Sequence, residues 1–130
     1  MLVEKIGKFT LKVTLTVQID SAELRLVRLP LLDPFTISSH TMLERYFTLP
    51  TLRGNGLEGY GESVMDEIPY WREETVAGGL EFLKTVLLPA VLGKSFQTPN
   101  ELVASYALLK GNRMAKATLE TAFWDLWAKF

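Results

Sequence analysis

The tightest restriction on the fold comes from residues 111–130. Gly111 followed by Asn112 ends one segment and offers an N-cap for the next. From there Ala115, Leu119, Ala122, Phe123, Leu126 and Phe130 recur at helical spacing and form one apolar stripe. Trp124 points the opposite way, with Ala117 and Ala128 beside it. A helix on a domain surface needs only one apolar face, and this one has two. The pattern predicts a helix packed between two bodies. One is its own domain; the other would meet Ala117, Trp124 and Ala128 and begin where the chain stops.

The elements that can cover such a helix lie upstream. Phe9, Leu11, Val13, Leu15, Val17 and Ile19 alternate with Lys, Thr and Gln, which predicts one long half-buried strand. Leu24 to Leu29 continues the extended region, Pro30 interrupts it, and Leu31 to Met42 reads as a loop. Leu43 to Leu52 is a second strand with Tyr46, Thr48 and Pro50 on one face. Pro50 lacks a ladder donor and belongs on an edge or at a bulge. Asn55-Gly56 is the best hairpin turn in the sequence, because both residues tolerate positive φ. Leu57 to Ser63 is the third strand.

Helices follow. Glu73 and Glu74 suit the positive end of the first. Val76, Leu80, Leu83 and Leu87 make its inward stripe, and Pro89 and Gly93 close it. Thr98-Pro99-Asn100-Glu101 is a capping box with proline at the first helical position, opening a second helix that runs to Leu109. Strands precede helices, so the class is α+β: a three-stranded antiparallel meander followed by a bundle of three or four helices.

Composition narrows the function. A length of 130 residues suits one domain with a modest core. A net charge of −1, with no basic stripe, excludes an electrostatic reader of nucleic acid or of anionic membrane. The chain has no cysteine, which excludes disulfides, thiolate metal sites and a cysteine nucleophile. No apolar run is long enough to span a bilayer, and the N-terminus lacks the continuous apolar stretch of a signal peptide. The expectation is a cytoplasmic domain.

Several motifs invite chemistry. Gly54-Asn55-Gly56-Leu57-Glu58-Gly59 satisfies G-x-G-x-x-G, but a dinucleotide site needs the turn to open a helix, and here it leads into a strand. His40 is the only histidine and has no obvious partner to orient it. Glu62, Asp66 and Glu67 form a carboxylate group of the kind that hard cations use, although their setting at a strand end and in a polar loop favours solvation. A small enzyme built on Glu62, His40 and Asp66 would match no recognised constellation. Lys110, Arg113 and Lys116 could hold an anion, or complement helix ends. Phe35, Tyr70 and Trp71 are aromatics in segments that read as exposed loops.

The final segment, GNRMAKATLETAFWDLWAK, closely resembles the end of the capping domain in the o-succinylbenzoate synthase and N-acylamino acid racemase branch of the enolase superfamily. Leu31-Leu32-Asp33-Pro34-Phe35-Thr36, Gly56-Leu57-Glu58-Gly59-Tyr60-Gly61-Glu62-Ser63 and Pro69-Tyr70-Trp71-Arg72-Glu73-Glu74-Thr75 agree with it in order and spacing. The resemblance covers Val17 to Phe130. Residues 1–16 are then either an N-terminal extension or a lengthened first strand.

The resemblance implies a parent enzyme that removes a proton next to a carboxylate, with Mg2+ or Mn2+ stabilising the enediolate. Its lysines and acidic metal ligands lie on a (β/α) barrel that 130 residues cannot also encode. No catalytic or metal-binding residue is therefore assigned to this chain. It would close and shape a site built elsewhere, with the barrel as its partner. By the same resemblance, loops after the first and third strands supply apolar walls around the substrate, placing Phe35, Ser39, Met65, Asp66 and Trp71 on or near them. Two positions depart from the pattern: Ser38-Ser39-His40 stands where Ser-Phe-Gly is usual, and Trp71 where tyrosine is common. The alternative is a self-associating or protein-binding module without catalysis, joined through Ala117, Trp124 and Ala128.

Overall fold

A computed structural model describes residues 15–130. Val17–Gln18 (β1) pairs antiparallel with Ser95–Phe96 (β5), while Ser21–Thr36 (β2), Thr41–Gly54 (β3) and Leu57–Tyr60 (β4) form an antiparallel meander in the order β2-β3-β4. The class is α+β, with the three-stranded meander preceding the helices.

The first strand differs from the expected one. Most of the alternation from Phe9 to Ile19 lies outside the described residues. Within them, Val17 and Ile19 are buried as the period requires, but Leu15 is exposed. The extended chain does not run on into the meander. The Gln18 N–H donates to Asn55 Oδ1 at 3.1 Å and the Asp20 N–H to the Arg53 carbonyl at 2.8 Å. This corner hands the chain from β5 to β3.

Leu31 to Thr36, expected as loop, is strand. Pro30 still pairs with Glu44, and pairing resumes at Phe35↔Met42 and Thr36↔Thr41 after a register shift. An irregularity of this kind lets β2 carry unpaired residues without ending. Pro50 sits in the central strand, not on an edge. Its carbonyl accepts the Gly61 N–H at 3.0 Å, so its missing donor also faces β4's side, just past the end of that strand. Pairing continues beyond β4 by side chain: the Thr48 N–H donates to Ser63 Oγ, and the Ser63 N–H to the Thr48 carbonyl, both at 2.9 Å.

The glycine-rich stretch is a hairpin, as its context predicts. Asn55 and Gly56 have φ of 52° and 75°, which the two-residue turn between paired Gly54 and Leu57 requires. Gly59 and Gly61 serve packing: a Cβ on Gly61 would meet the Thr118 carbonyl at 2.6 Å, and one on Gly59 would strike the backbone of the last helix.

Val76–Phe82 (α1), a π-helical turn at Leu83–Leu87 and Leu88–Val91 (α2) form one continuous rod. Pro89 does not close this helix. It lies inside, and the wider turn before it, where the Leu88 N–H reaches back to the Leu83 carbonyl, absorbs the proline. The rod ends at Val91, and Gly93 follows with φ of 75°. Pro99–Ser105 (α3) is capped as expected: Thr98 Oγ1 accepts the Glu101 N–H at 3.3 Å, while Glu101 reaches back to the Gln97 N–H at 2.7 Å. It stops at Ser105, four residues before the expected end at Leu109, and the chain continues in turns.

Arg113–Lys129 (α4) is the central element. Ala115, Leu119, Ala122, Phe123 and Leu126 are fully buried against β3, β4 and the other helices, and Phe96 meets Phe123 edge-to-face at 5.7 Å. Each large side chain buried this way stabilises the fold by roughly 1.5–3 kcal/mol. Phe130, expected on the same stripe, is exposed at the helix end. Asn112 takes the N-cap position in the left-handed region and makes no side-chain cap. The cap comes from 40 residues away: the Glu74 carboxylate accepts the Met114 N–H at 2.9 Å and the Ala115 N–H at 3.1 Å. Glu74 thus serves the positive end of α4, not of α1, where Thr75 is the cap.

Candidate functional site

The meander places a groove at its open end. β2 and β3 run well past the end of β4, and their tip is closed by the Ile37 N–H donating to the His40 carbonyl at 2.9 Å. The chain after β4 returns alongside β3, and Asp66 pairs with Thr75 in a short parallel bridge. Between the two lies an open groove of about 520 Å3, lined by residues 40–46 of the hairpin and by Met65, Asp66, Glu67, Ile68 and Tyr70 of the returning loop.

Two side-chain contacts tie these walls. Arg45 Nη2 lies 3.2 Å from Asp66 Oδ1, and its guanidinium also sits over the Phe47 ring at 5.3 Å. His40 stacks on Tyr70, with ring centroids 4.3 Å apart and planes inclined by 20°. Behind them, Met65 is buried, and its thioether occupies the space that a side chain at Gly79 would need. Tyr46 donates to Glu44 Oε1 at 3.3 Å. Partial burial, then the Glu44 carboxylate, push its phenol above the ordinary tyrosine range.

Of the five substrate-wall residues expected, the groove brings together Met65 and Asp66. Phe35 is exposed on β2 and Trp71 is 74% exposed, and neither lines the groove. Ser39 is also outside it; its Oγ lies 3.0 Å from His40 Nδ1. Expectation from single residues gave His40 no partner, and the structure supplies two, Ser39 and Tyr70. The stack joins positions 30 residues apart, and no local pattern announces it.

The carboxylates do not form a cation site. Asp66 is held by Arg45, Glu62 does not line the groove, and among the described residues no three His, Asp or Glu side chains converge. What the groove offers is one flat aromatic wall, the Tyr46 phenol, the Arg45–Asp66 ion pair and two further carboxylates, Glu44 and Glu67. That is equipment for shaping and orienting a ligand. Lys116 Nζ donates to the Leu109 carbonyl at 2.5 Å, closing the turns before α4.

The outer side of α4 carries Ala117, Ala128 and Trp124, all exposed, with Trp124 at 45%. Trp124 packs edge-to-face on Trp127 at 5.6 Å, and Trp127 donates its indole N–H to the Gln97 carbonyl at 2.9 Å.

The family model for the mandelate racemase / muconate lactonizing enzyme N-terminal domain matches residues 21–130. The chain belongs to this enolase-superfamily domain family. Within it, the chain is 49% identical over 112 residues to an N-succinylamino acid racemase of Thermus thermophilus, covering 86% of this chain and 30% of that protein. It is 39% identical over 114 residues to an o-succinylbenzoate synthase of Bacillus subtilis, covering 87% and 31%. A solved enolase-superfamily member from Listeria innocua superposes with a TM-score of 0.83 at 33% identity, covering 87% of this chain and 31% of that one. The enolase-superfamily domain described here thus spans about 30% of the length of the relatives it matches, so it corresponds to one part of a larger architecture. No helix among its described residues is long and apolar enough to cross a membrane.

Proposed function

We propose that this domain caps the active site and sets substrate specificity in an o-succinylbenzoate synthase or N-acylamino acid racemase-like enzyme, while a barrel domain carries the chemistry. The groove between the hairpin tip and the loop after β4 is the observation that supports this most directly. It is lined by a stacked aromatic pair, the Arg45–Asp66 ion pair and the carboxylates of Glu44 and Glu67.

The relatives' reactions point to removal of a proton next to a carboxylate. Such a step needs a positioned base and stabilisation of the developing oxyanion. A divalent cation such as Mg2+ or Mn2+ would supply that stabilisation when bound, and the described carboxylates here do not fit one. This domain's residues would instead exclude water and hold the substrate's acyl or aryl part. The outer side of α4, at Ala117, Trp124 and Ala128, would face the barrel.

The test is deuterium exchange at the α-carbon of an N-acylamino acid with magnesium or manganese. The chain alone should exchange at the buffer rate, and the chain joined to its barrel well above it. Exchange by the chain alone, lost in Glu62→Gln or His40→Ala, would overturn the reading in favour of a small self-contained enzyme.

The exposed Trp124 side of α4 also favours a second reading, self-association of the domain through that face. Sedimentation at micromolar concentration separates the two: a dimer that Trp124→Ala dissolves supports it, and a monomer contradicts it.

A further inference from the structure

The two ties across the groove differ in kind. Arg45 and Asp66 are both partly exposed, and exposed ion pairs hold weakly. The His40–Tyr70 stack is a contact of flat faces at 4.3 Å. His40 is well placed to serve as a fixed point. Its carbonyl closes the hairpin tip by accepting the Ile37 N–H, and Thr36 Oγ1 and Thr41 Oγ1 lie 2.9 Å apart just below. The ring itself is steadied through Nδ1 by Ser39 Oγ at 3.0 Å.

The geometry points to His40, stacked on Tyr70, as the specificity-determining wall of this groove, clasping its two sides together and receiving the flat acyl or aryl part of a carboxylate substrate. This rests on the proposed capping role. It also changes the part assigned to position 39. The resemblance places an aromatic ring there and glycine at 40, whereas this chain has serine and then histidine. Against that pattern, the ring of this chain stands one residue later. The shift does not leave the groove open on that side, because His40 lines it and Ser39 does not. Ser39 becomes the residue that steadies the ring.

Two readouts test the inference. In the chain itself, proton NMR should show Tyr70 ring resonances displaced by the imidazole, with cross-relaxation between the rings. Both signals should vanish in His40→Ala, persist in His40→Phe, and survive Ser39→Phe. In the protein with its barrel and magnesium, using an N-acylated aromatic amino acid, His40→Ala should raise KM about tenfold, the scale of one aromatic stack. Its kcat should stay within about twofold, as loss of uniform binding requires. His40→Phe should restore KM to within about threefold of the starting protein. An unchanged KM in His40→Ala, a failure of phenylalanine to rescue, or a Tyr70 ring insensitive to position 40 would each overturn the inference. Absence of turnover in the unsubstituted protein, with the ring contact intact, would instead defeat the capping role and with it the substrate part of the inference, and would leave the clasp standing.

Discussion

The domain has two regions built on different physics. Around α4 everything is close-packed: six side chains of one helix are buried, and β4 and the chain just after it lie so near that glycine alone fits at positions 59 and 61. The β2–β3 arm beyond β4 has the opposite character. Leu26, Leu29, Phe35 and Leu43 are exposed along it, and Leu32 is fully exposed at the register shift. The arm is held by its backbone ladder and by ion pairs such as Arg28–Glu44 at 2.6 Å, both partners solvent-accessible. A core of the first kind tolerates little change, whereas an arm of the second kind accepts substitution at small cost to stability. Specificity can vary on such an arm without endangering the fold.

The largest effect expected is at the sheet–helix contact. Gly59→Val or Gly61→Val should destabilise the domain by about 3 kcal/mol or more, because the collision is with helix backbone that cannot yield. Urea denaturation followed by tryptophan fluorescence would measure it; a loss below 1 kcal/mol (roughly) would mean the contact is loose. Next comes the long-range cap. Glu74→Ala should cost about 1–2 kcal/mol by leaving the Met114 and Ala115 N–H groups without a protein partner, and Glu74→Gln should cost less because its amide oxygen still accepts. Thermal melts of the two variants give the ordering.

A smaller effect is pH-dependent. Lys129, at 2.7 Å, and then the Tyr60 N–H hold the Asp125 carboxyl below the usual aspartate range. A carboxyl lowered in the folded state contributes stability that is complete above its unfolded value and is lost as pH falls through the lowered folded one. Asp125→Asn should therefore flatten the acid side of the stability profile and leave the neutral side nearly parallel to the starting protein. Steepening toward acid would carry the wrong sign. The smallest effect belongs to the arm and its loop. Phe35→Ala and Trp71→Ala should change stability by no more than about 0.5 kcal/mol, since both side chains are exposed.

The same contrast explains what could be read from the sequence. The stripe of α4, the Asn55-Gly56 turn and the Thr98 capping box are local patterns, and each appears where its spacing puts it. By local rules Pro30 and Pro89 should break their segments. Each is accommodated instead, by a register shift and by a π turn, because pairing or packing on both sides outweighs one missing donor. Sequence position places Glu74 at the nearest helix, while the bond it makes depends on tertiary placement. The groove was legible in part. Met65 and Asp66 lie in the loop that follows β4 and arrive together. Ser39, Phe35 and Trp71 do not line it: Ser39 sits in the bend of the hairpin tip, Phe35 lies outward on β2 and Trp71 projects from the loop, and a resemblance of segments fixes none of these placements.

The central claim is that the core sets the fold and the groove sets the substrate, with the chemistry elsewhere. The most direct measurement compares kcat/KM for two N-acylamino acids of different acyl size, with and without magnesium, in the protein with its barrel and in the same protein carrying Met65→Ala. Met65 lines the groove and carries no titratable group. The ratio between the two substrates should shift about tenfold while the magnesium requirement is unchanged, the scale of one apolar side chain in a pocket. Loss of the magnesium requirement, or an unchanged substrate ratio in a folded variant, would contradict it.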